Sequence, residues 1–312
     1  MSLPPHVPHT QVDLNKEVQS IIEGDILTDP TLYGVTPTDP NFLAVGPDGG
    51  MIEITYSPEI LKRKKPGSLI RSGTSVLKKS WKAKLVFKAS DNNLALQKWC
   101  KNKSLKADTD TPAASRTFFK SFDSFETDET YTIFRGCVPE KTNYTISKSG
   151  EIIYTVDLDC KTYEQNILAN GGFSGTPVFA SPDSAAPWQT QDGGSGAFTH
   201  NSKKYGIESF SVDIIRQWAI QDPSEALENV MVAESDYVPS GTITIQRSDN
   251  EISDDALDTI PRTMSLVLKS STLTDTWTGT IFEGHTGLNH DGTNPVGLTD
   301  TETFSATDFV SA

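Results

Sequence analysis

Residues able to do chemistry are few in this 312-residue chain, and their spacing is poor for it. His6 and His9 sit near the N-terminus, and His285, His290 and Asp291 make the one cluster with ligand chemistry. Two imidazoles and a carboxylate could hold a transition metal, but His285 to Gly292 also reads as a polar turn with Asp291-Gly292 at its tip. No Gly-x-x-x-x-Gly-Lys-Ser/Thr phosphate loop occurs, and Gly193-Gly194-Ser195-Gly196 lacks the spacing of a nucleophile elbow. Patterns for a zinc hydrolase, a Cys-x-x-Cys site or a calcium loop are missing as well. With 41 acidic residues, some pair would mimic a glycosidase dyad by accident, so none can be singled out. The expectation is a non-enzyme with no catalytic residue, no cofactor and no metal.

Charge is more informative. Lys and Arg total 27 against 41 Asp and Glu, a net charge of −14, which argues against a protein that grips nucleic acid phosphates tightly. Yet Ile60 to Lys106 carries 14 basic residues and a single acid, Asp91, leaving a balance of −27 on the remainder. Such a split suits a chain that packs against copies of itself, since complementary patches steer association and set register. A solvated basic face is the plainer alternative. Cys100, Cys137 and Cys160, odd in number and far apart in sequence, read as reduced core thiols of a cytoplasmic product. The first residues lack a basic and apolar leader, and no apolar run is long enough to cross a bilayer. Trp81, Trp99, Trp188, Trp218 and Trp277 could line a sugar-binding face, but more often such residues fill a β-sandwich core or an interface.

The elements that must position these residues are mostly strands. Ile152, Tyr154, Val156 and Leu158 alternate with polar neighbours, the period of a half-buried strand, and Tyr144 to Ile146 precedes it across a Lys148-Ser149-Gly150 turn as a hairpin. Further strands are expected at Met51–Tyr56, Ser75–Ala89, Glu129–Cys137, Ile207–Ile214, Gly241–Arg247, Thr263–Ser270 and Thr274–Phe282. Two helices are expected. Asn92–Lys103 has Asp91 or Asn92 as cap and Leu96, Trp99 and Cys100 on one stripe, and Pro223–Val232 follows a capping Asp222. The Gly-, Pro- and Ser-rich stretch Asn170–Gly196 is the candidate boundary.

Internal similarity suggests duplication. Ile52-Glu53 is echoed by Ile207-Glu208, and Ser72-Gly73-Thr74 by Ser240-Gly241-Thr242. Leu85 to Ser90 is echoed by Leu266 to Ser271, and Thr130 to Gly136 by Thr276 to Gly284 with an insertion. In both halves a long segment parts the first strand from the Ser-Gly-Thr strand. Ser57–Arg71 carries Lys62, Arg63, Lys64, Lys65 and Arg71, while Arg216–Pro239 carries Asp222, Glu225, Glu228, Glu234 and Asp236. Corresponding loops of opposite sign could dock one copy on another, although ordinary surface loops of biased charge also fit. Lys78, Lys82, Lys84 and Lys88 share one parity and are expected to meet an acidic surface of a neighbouring copy.

The segment Tyr131 to Ser147, with its Arg135-Gly136-Cys137-Val138-Pro139 centre, resembles tail tube proteins of long-tailed bacterial and archaeal viruses. Gly150–Leu158, Tyr205–Asp213, Val238–Ile245 and the closing Gly297–Phe309 are similar to the same family, so short patterns touch most of residues 50–310. The resemblance implies a mainly β fold of two tandem sandwich or barrel units with few helices. Its boundaries would be an arm at 1–50, a first unit at 51–165, a linker at 166–204 and a second unit at 205–312. It implies a virion structural protein, assembled in the host cytoplasm, whose sheets join around a ring and whose rings stack into a hollow tail tube. A duplicated chain would form a trimer with pseudo-sixfold symmetry, a single unit a hexamer, and other tail proteins would meet the tube ends. DNA would pass through without sticking, because acidic groups facing the bore repel its backbone. The alternatives are a tail-tip module that binds a receptor or carbohydrate through exposed aromatics, and a carbohydrate hydrolase with a deep cleft and two acids.

Overall fold

The structure is a computed structural model. It describes residues 18–23, 26, 29–47, 50–56, 59–64, 71–78, 81–106, 113–122, 130–147, 150–167, 173–181, 183–189, 197–221, 230–246, 252, 254–255, 259–269, 272–286 and 299–312. The first half contains β1 (Val18–Ile22), β2 (Leu43–Ala44), β3 (Met51–Tyr56), β4 (Glu59–Lys64), β5 (Arg71–Lys78) and β6 (Trp81–Lys88). It continues with α1 (Leu94–Lys101), β7 (Arg116–Phe122), β8 (Thr130–Ser147), β9 (Ile153–Cys160) and β10 (Thr162–Ile167). The second half contains β11 (Ala197–His200), β12 (Lys203–Tyr205), β13 (Ile207–Gln221), β14 (Val230–Gln246), β15 (Arg262–Lys269), β16 (Leu273–Thr286), β17 (Thr299–Ser305) and β18 (Asp308–Ser311). The fold is mainly β, as expected, and every strand pairing between these elements is antiparallel.

A central sheet runs in the order β3-β6-β9-β8-β13-β14-β17-β16. A flanking layer, β2-β1-β7 with β10, joins it through the first part of β8, and another, β12-β11-β15 with β18, joins it through the first part of β16. One strand can serve two layers only if it bends. β8 does so at Gly136 and β16 at Gly279, both at φ +62°, a conformation that costs an L-residue about 1–2 kcal/mol. A Cβ at Gly136 would stand 2.7 Å from Lys161 Cβ, and one at Gly279 would stand 2.3 Å from Thr307 Oγ1. The buried Glu23 carboxylate fixes the first bend, accepting bonds from the Gly136 amide (2.9 Å), the Gly34 amide (2.8 Å), Thr117 (2.7 Å) and Ser115.

One core fills the space between the layers, built on alternate residues such as Leu85, Phe87, Tyr154, Val156, Phe210, Ile243, Trp277 and Phe304. The period-two pattern at Ile152–Leu158 is thus realised in β9, whose Tyr154, Val156 and Leu158 are buried while Ile153 and Asp157 are exposed. A smaller cluster, Phe42, Phe119, Ile133 and Phe173, lies apart from it. Helix α1 begins within the expected Asn92–Lys103 and buries Leu96, Trp99 and Cys100; Asn93, and not Asp91 or Asn92, holds the N-cap position, and its side chain makes no cap hydrogen bond. The second expected helix fails in part. Val230, Met231 and Val232 are strand in β14, because cross-strand pairing along β13 overrides a good N-terminal cap, while 222–229 fall outside the described residues. The strand expected at Ser75–Ala89 is divided between β5 and β6, and Glu129–Cys137 is the first part of the longer β8.

The pairing scheme of the first half recurs in the second. β1-β2, β1-β7, β3-β6, β6-β9, β8-β9, β7-β8 and β8-β10 correspond to β11-β12, β11-β15, β13-β14, β14-β17, β16-β17, β15-β16 and β16-β18. Registers correspond too. Val138 faces Asp159 as Ile281 faces Ser305, and both ladders then skip a residue, so that Lys141 faces Asp157 as Gly284 faces Thr303. β4-β5 is the outer arm of the β3-β6 hairpin. Glu59 faces Lys78 and, after a bulge, Ile60 faces Val76, just as Gln217 faces Asp236 and Trp218 faces Glu234. Residues 18–44, expected as an arm, and 197–205, expected as linker and the start of the second unit, therefore contribute corresponding strands to the two halves.

The short sequence echoes locate this correspondence only in part. β3 does correspond to β13 and β8 to β16, but Ile52 corresponds to Phe210 and not Ile207, and Gly136 to Gly279 and not Gly284. The Leu85 and Leu266 echo joins strands that do not correspond, since β6 is matched by β14 and β15 by β7.

Candidate assembly surface

Three features of the fold are candidates for contact: the two long hairpin arms, the outward face of the central sheet and its two edges among the described residues. The expected docking residues fall on the arms. Lys62, Arg63 and Lys64 lie on β4, opposite Thr74, Gly73 and Arg71 of β5. Glu234 and Asp236 lie on β14, opposite Trp218 and Gln217, and Asp236 is exposed. Lys65, Glu225 and Glu228 fall outside the described residues. Since Lys78 and Asp236 hold corresponding positions, the two arms carry opposite charge at matched sites.

The acidic arm is rooted on the first half. The C-terminal carbonyls of α1 lack intrahelical donors, and residues of the second half supply them. Arg216 donates to Cys100 O at 2.7 Å and Asn102 O at 2.9 Å, and Tyr237 OH donates to Lys101 O at 2.7 Å. A guanidinium suits the negative end of the helix dipole. Thr142 adds a bond to Cys100 O (2.6 Å), and the Trp218 indole donates to Pro139 O (3.1 Å).

Beneath this root lies a buried ion pair that sequence reasoning missed. Lys101 Nζ stands 2.7 and 3.0 Å from the two carboxylate oxygens of Asp275, and both side chains are wholly buried. Tyr144 and Ser311 also donate to Asp275, and the ammonium lies over the rings of Tyr144 and Tyr154. Burial holds the Lys101 pKa below its ordinary value against the pull of Asp275, and burial followed by the Asp275 charge pushes Tyr144 well up. Because β16 and α1 come from different halves, no local sequence window contains this pair. Cys137 and Cys160, also distant in sequence, face each other with sulfurs 2.8 Å apart, and all three cysteines are buried and free.

On the open face of the central sheet, the second half presents mainly hydroxyls, among them Ser211, Thr242, Thr244, Thr301 and Thr303. On the first half, three lysines of this face pair with carboxylates of the chain itself. Lys82 pairs with Glu140 at 2.6 Å, Lys88 with Glu151 at 2.9 Å and Lys141 with Asp213 at 3.0 Å, while Lys84 stands between Glu53 and Asp157 in register. For Lys82 and Lys88, expected to meet an acidic surface on a neighbour, carboxylates of this chain are already alongside, Glu140 at the β8 bulge and Glu151 just before β9; Lys84 has acidic register neighbours, and Lys78 is described by its backbone pairing alone.

The edges are β3 and the last part of β16. Among the described residues, β3 pairs with β6 alone, and Ile281–Thr286 pairs with β17 alone. Ile54 and Tyr56 on β3 are 39% and 45% exposed. Their counterparts Val212 and Ile214 on β13 are fully buried.

Trp99, Trp188 and Trp277 are buried and Trp81 and Trp218 half-buried, so none of the five presents an open stacking platform. His285 lies on β16, and His290 and Asp291 fall outside the described residues. Among the described residues no helix is long and apolar enough to cross a membrane. No protein-family model matches the chain, and a search of curated proteins finds no relative.

Proposed function

We propose that this chain is a structural subunit whose copies join edge to edge into rings, and whose rings stack into the hollow tail tube of a long-tailed virus. The two halves are read as tandem tube-like units, so three copies would close a pseudo-sixfold ring within the virion tail, assembled in the host cytoplasm. The observation that carries the reading is the central sheet, which contains the two corresponding sets of strands side by side and, among the described residues, ends on unpaired edges. Unprotected edges template pairing with another chain, and a head-to-tail contact of this kind closes into a ring when its rotation allows.

Stacking would use the hairpin arms, basic on the first half and acidic on the second. The bore would be faced by the open side of the central sheet. Its hydroxyls and paired lysines offer a phosphate backbone few lasting contacts, so DNA could slide through. The alternative, a tail-tip module for a receptor or carbohydrate, would have to use exposed aromatics such as Tyr56 and Phe179, since the five tryptophans are buried or half-buried.

Negative-stain microscopy of the purified chain tests this. Filaments with a central channel are expected at low salt, with shorter filaments at high salt because screening weakens docking between rings. Changing Lys62, Arg63, Lys64 and Lys65 together to Glu is expected to leave rings that do not stack. Only monodisperse globules at low salt would refute the assembly, and normal tubes from the charge-reversed chain would refute the role of the arm.

A further inference from the structure

One pairing in the central sheet has no counterpart among the described residues. β8 pairs with β13, and this joins the two halves, with Asn143 facing Asp213 and Thr142 facing Ile214. All other pairings of the first half recur in the second, the β4-β5 arm being matched by the outer part of β13-β14. The strands that would form the missing counterpart are β16, matching β8, and β3, matching β13. Among the described residues these two are the sheet's edges.

We infer that β16 of one copy pairs antiparallel with β3 of the next in the register of the internal β8-β13 joint, with Thr286 facing Thr55 and His285 facing Tyr56. The inference deepens the assembly reading and rests on it. The register follows from two correspondences. Asn143 faces Thr155 of β9 as Thr286 faces Thr301 of β17, which makes Thr286 the counterpart of Asn143. Ile54 faces Ala83 of β6 as Val212 faces Gly241 of β14, which makes Thr55 the counterpart of Asp213 and Tyr56 that of Ile214. A slip of one residue would send every side chain to the opposite face, so a strand with one core-facing side holds its register strongly.

Burial points the same way independently. Ile54 and Tyr56 lie on the core-facing parity of β3, the same as buried Ile52, yet remain exposed. At the internal joint, where a partner strand and the end of α1 cover the sheet, the corresponding Val212 and Ile214 are completely buried. A second copy seated on β3 would supply the same cover.

Paired cysteines test the register. Thr55→Cys and Thr286→Cys in one chain, under mild oxidation, are expected to give covalent multimers on denaturing gels, with little background from the buried native thiols. Thr55→Cys with Gly284→Cys, displaced by two residues, is expected to cross-link at least tenfold more slowly. Equal or faster cross-linking of the displaced pair would overturn the register. Absence of cross-links in a sample that still forms tubes by microscopy would overturn the β3-β16 joint while leaving the assembly reading intact. Cross-linked rings that never stack would support the joint and count against the tube.

Discussion

Replacing Lys101 by Met should reveal how far the buried ion pair holds the two halves together. The substitution keeps the length of the side chain and removes the charge, leaving Asp275, among the described residues, with donors from Tyr144 and Ser311. Breaking a buried pair by removing one partner costs about 3–5 kcal/mol. Hydrogen bonds to a charged group are worth roughly 1.5–3 kcal/mol each, so the two hydroxyls keep the loss near the lower end, about 3 kcal/mol. Asp275→Asn should cost a similar amount, because the amide keeps one acceptor oxygen but removes the charge that balances the buried ammonium and turns an NH2 donor toward it. The double variant should cost less than the sum of the singles by about 2 kcal/mol, since neither member is then a buried orphan charge. Urea unfolding followed by tryptophan fluorescence suits the measurement, with Trp99 reporting on α1 and Trp277 on β16, both buried. A single-variant cost below about 1 kcal/mol, or additivity within about 0.5 kcal/mol, would refute the coupling.

Two further outcomes follow from burial and backbone geometry. Burial pushes the Cys100 thiol up to about 12 from an ordinary 9.0 and raises Tyr154 well above 10.0. The unfolded chain therefore releases these protons first, so the stability that Cys100 protects is complete below pH 9 and falls as pH rises from 9 toward 12, while that of Tyr154 falls only above pH 10, each by up to about 1.4 kcal/mol per pH unit. Urea titrations at pH 8, 9 and 10 should show this decline, and Cys100→Ala should lower the baseline but flatten the slope; an unchanged slope would count against the assignment. Gly136→Ala and Gly279→Ala should each lose about 2 kcal/mol, combining the cost of φ +62° with a crowded Cβ. Thermal unfolding of either variant at the wild-type temperature would show that the bend is not strained by a side chain.

How much was legible in the sequence depended on how local the cause was. Strand β3 begins and ends where Met51–Tyr56 was expected, and β9 buries its predicted face, because alternation is written into adjacent residues. The stripe of Leu96, Trp99 and Cys100 likewise needs only helical spacing to be seen. The helix expected across Val230–Val232 shows the limit, since a capping signature is local but the partner strand that overrode it is not.

The repeat divides along the same line. Resemblances between short β segments detect shared alternation, which any two half-buried strands possess, so Leu85–Ser90 was matched to a strand in a different place in the scheme. Correspondence between β6 and β14, or between Gly136 and Gly279, is defined by which strand each one hydrogen-bonds and at which residue. Sequence by itself determined the β class, the core-facing parities and the opposite charges of the two arms, for these follow from residue type and neighbouring spacing. Tertiary structure alone decided that the arms hold matched positions, that Lys101 meets Asp275, and that β3 and β16 end the sheet among the described residues, because each depends on contacts between residues far apart along the chain.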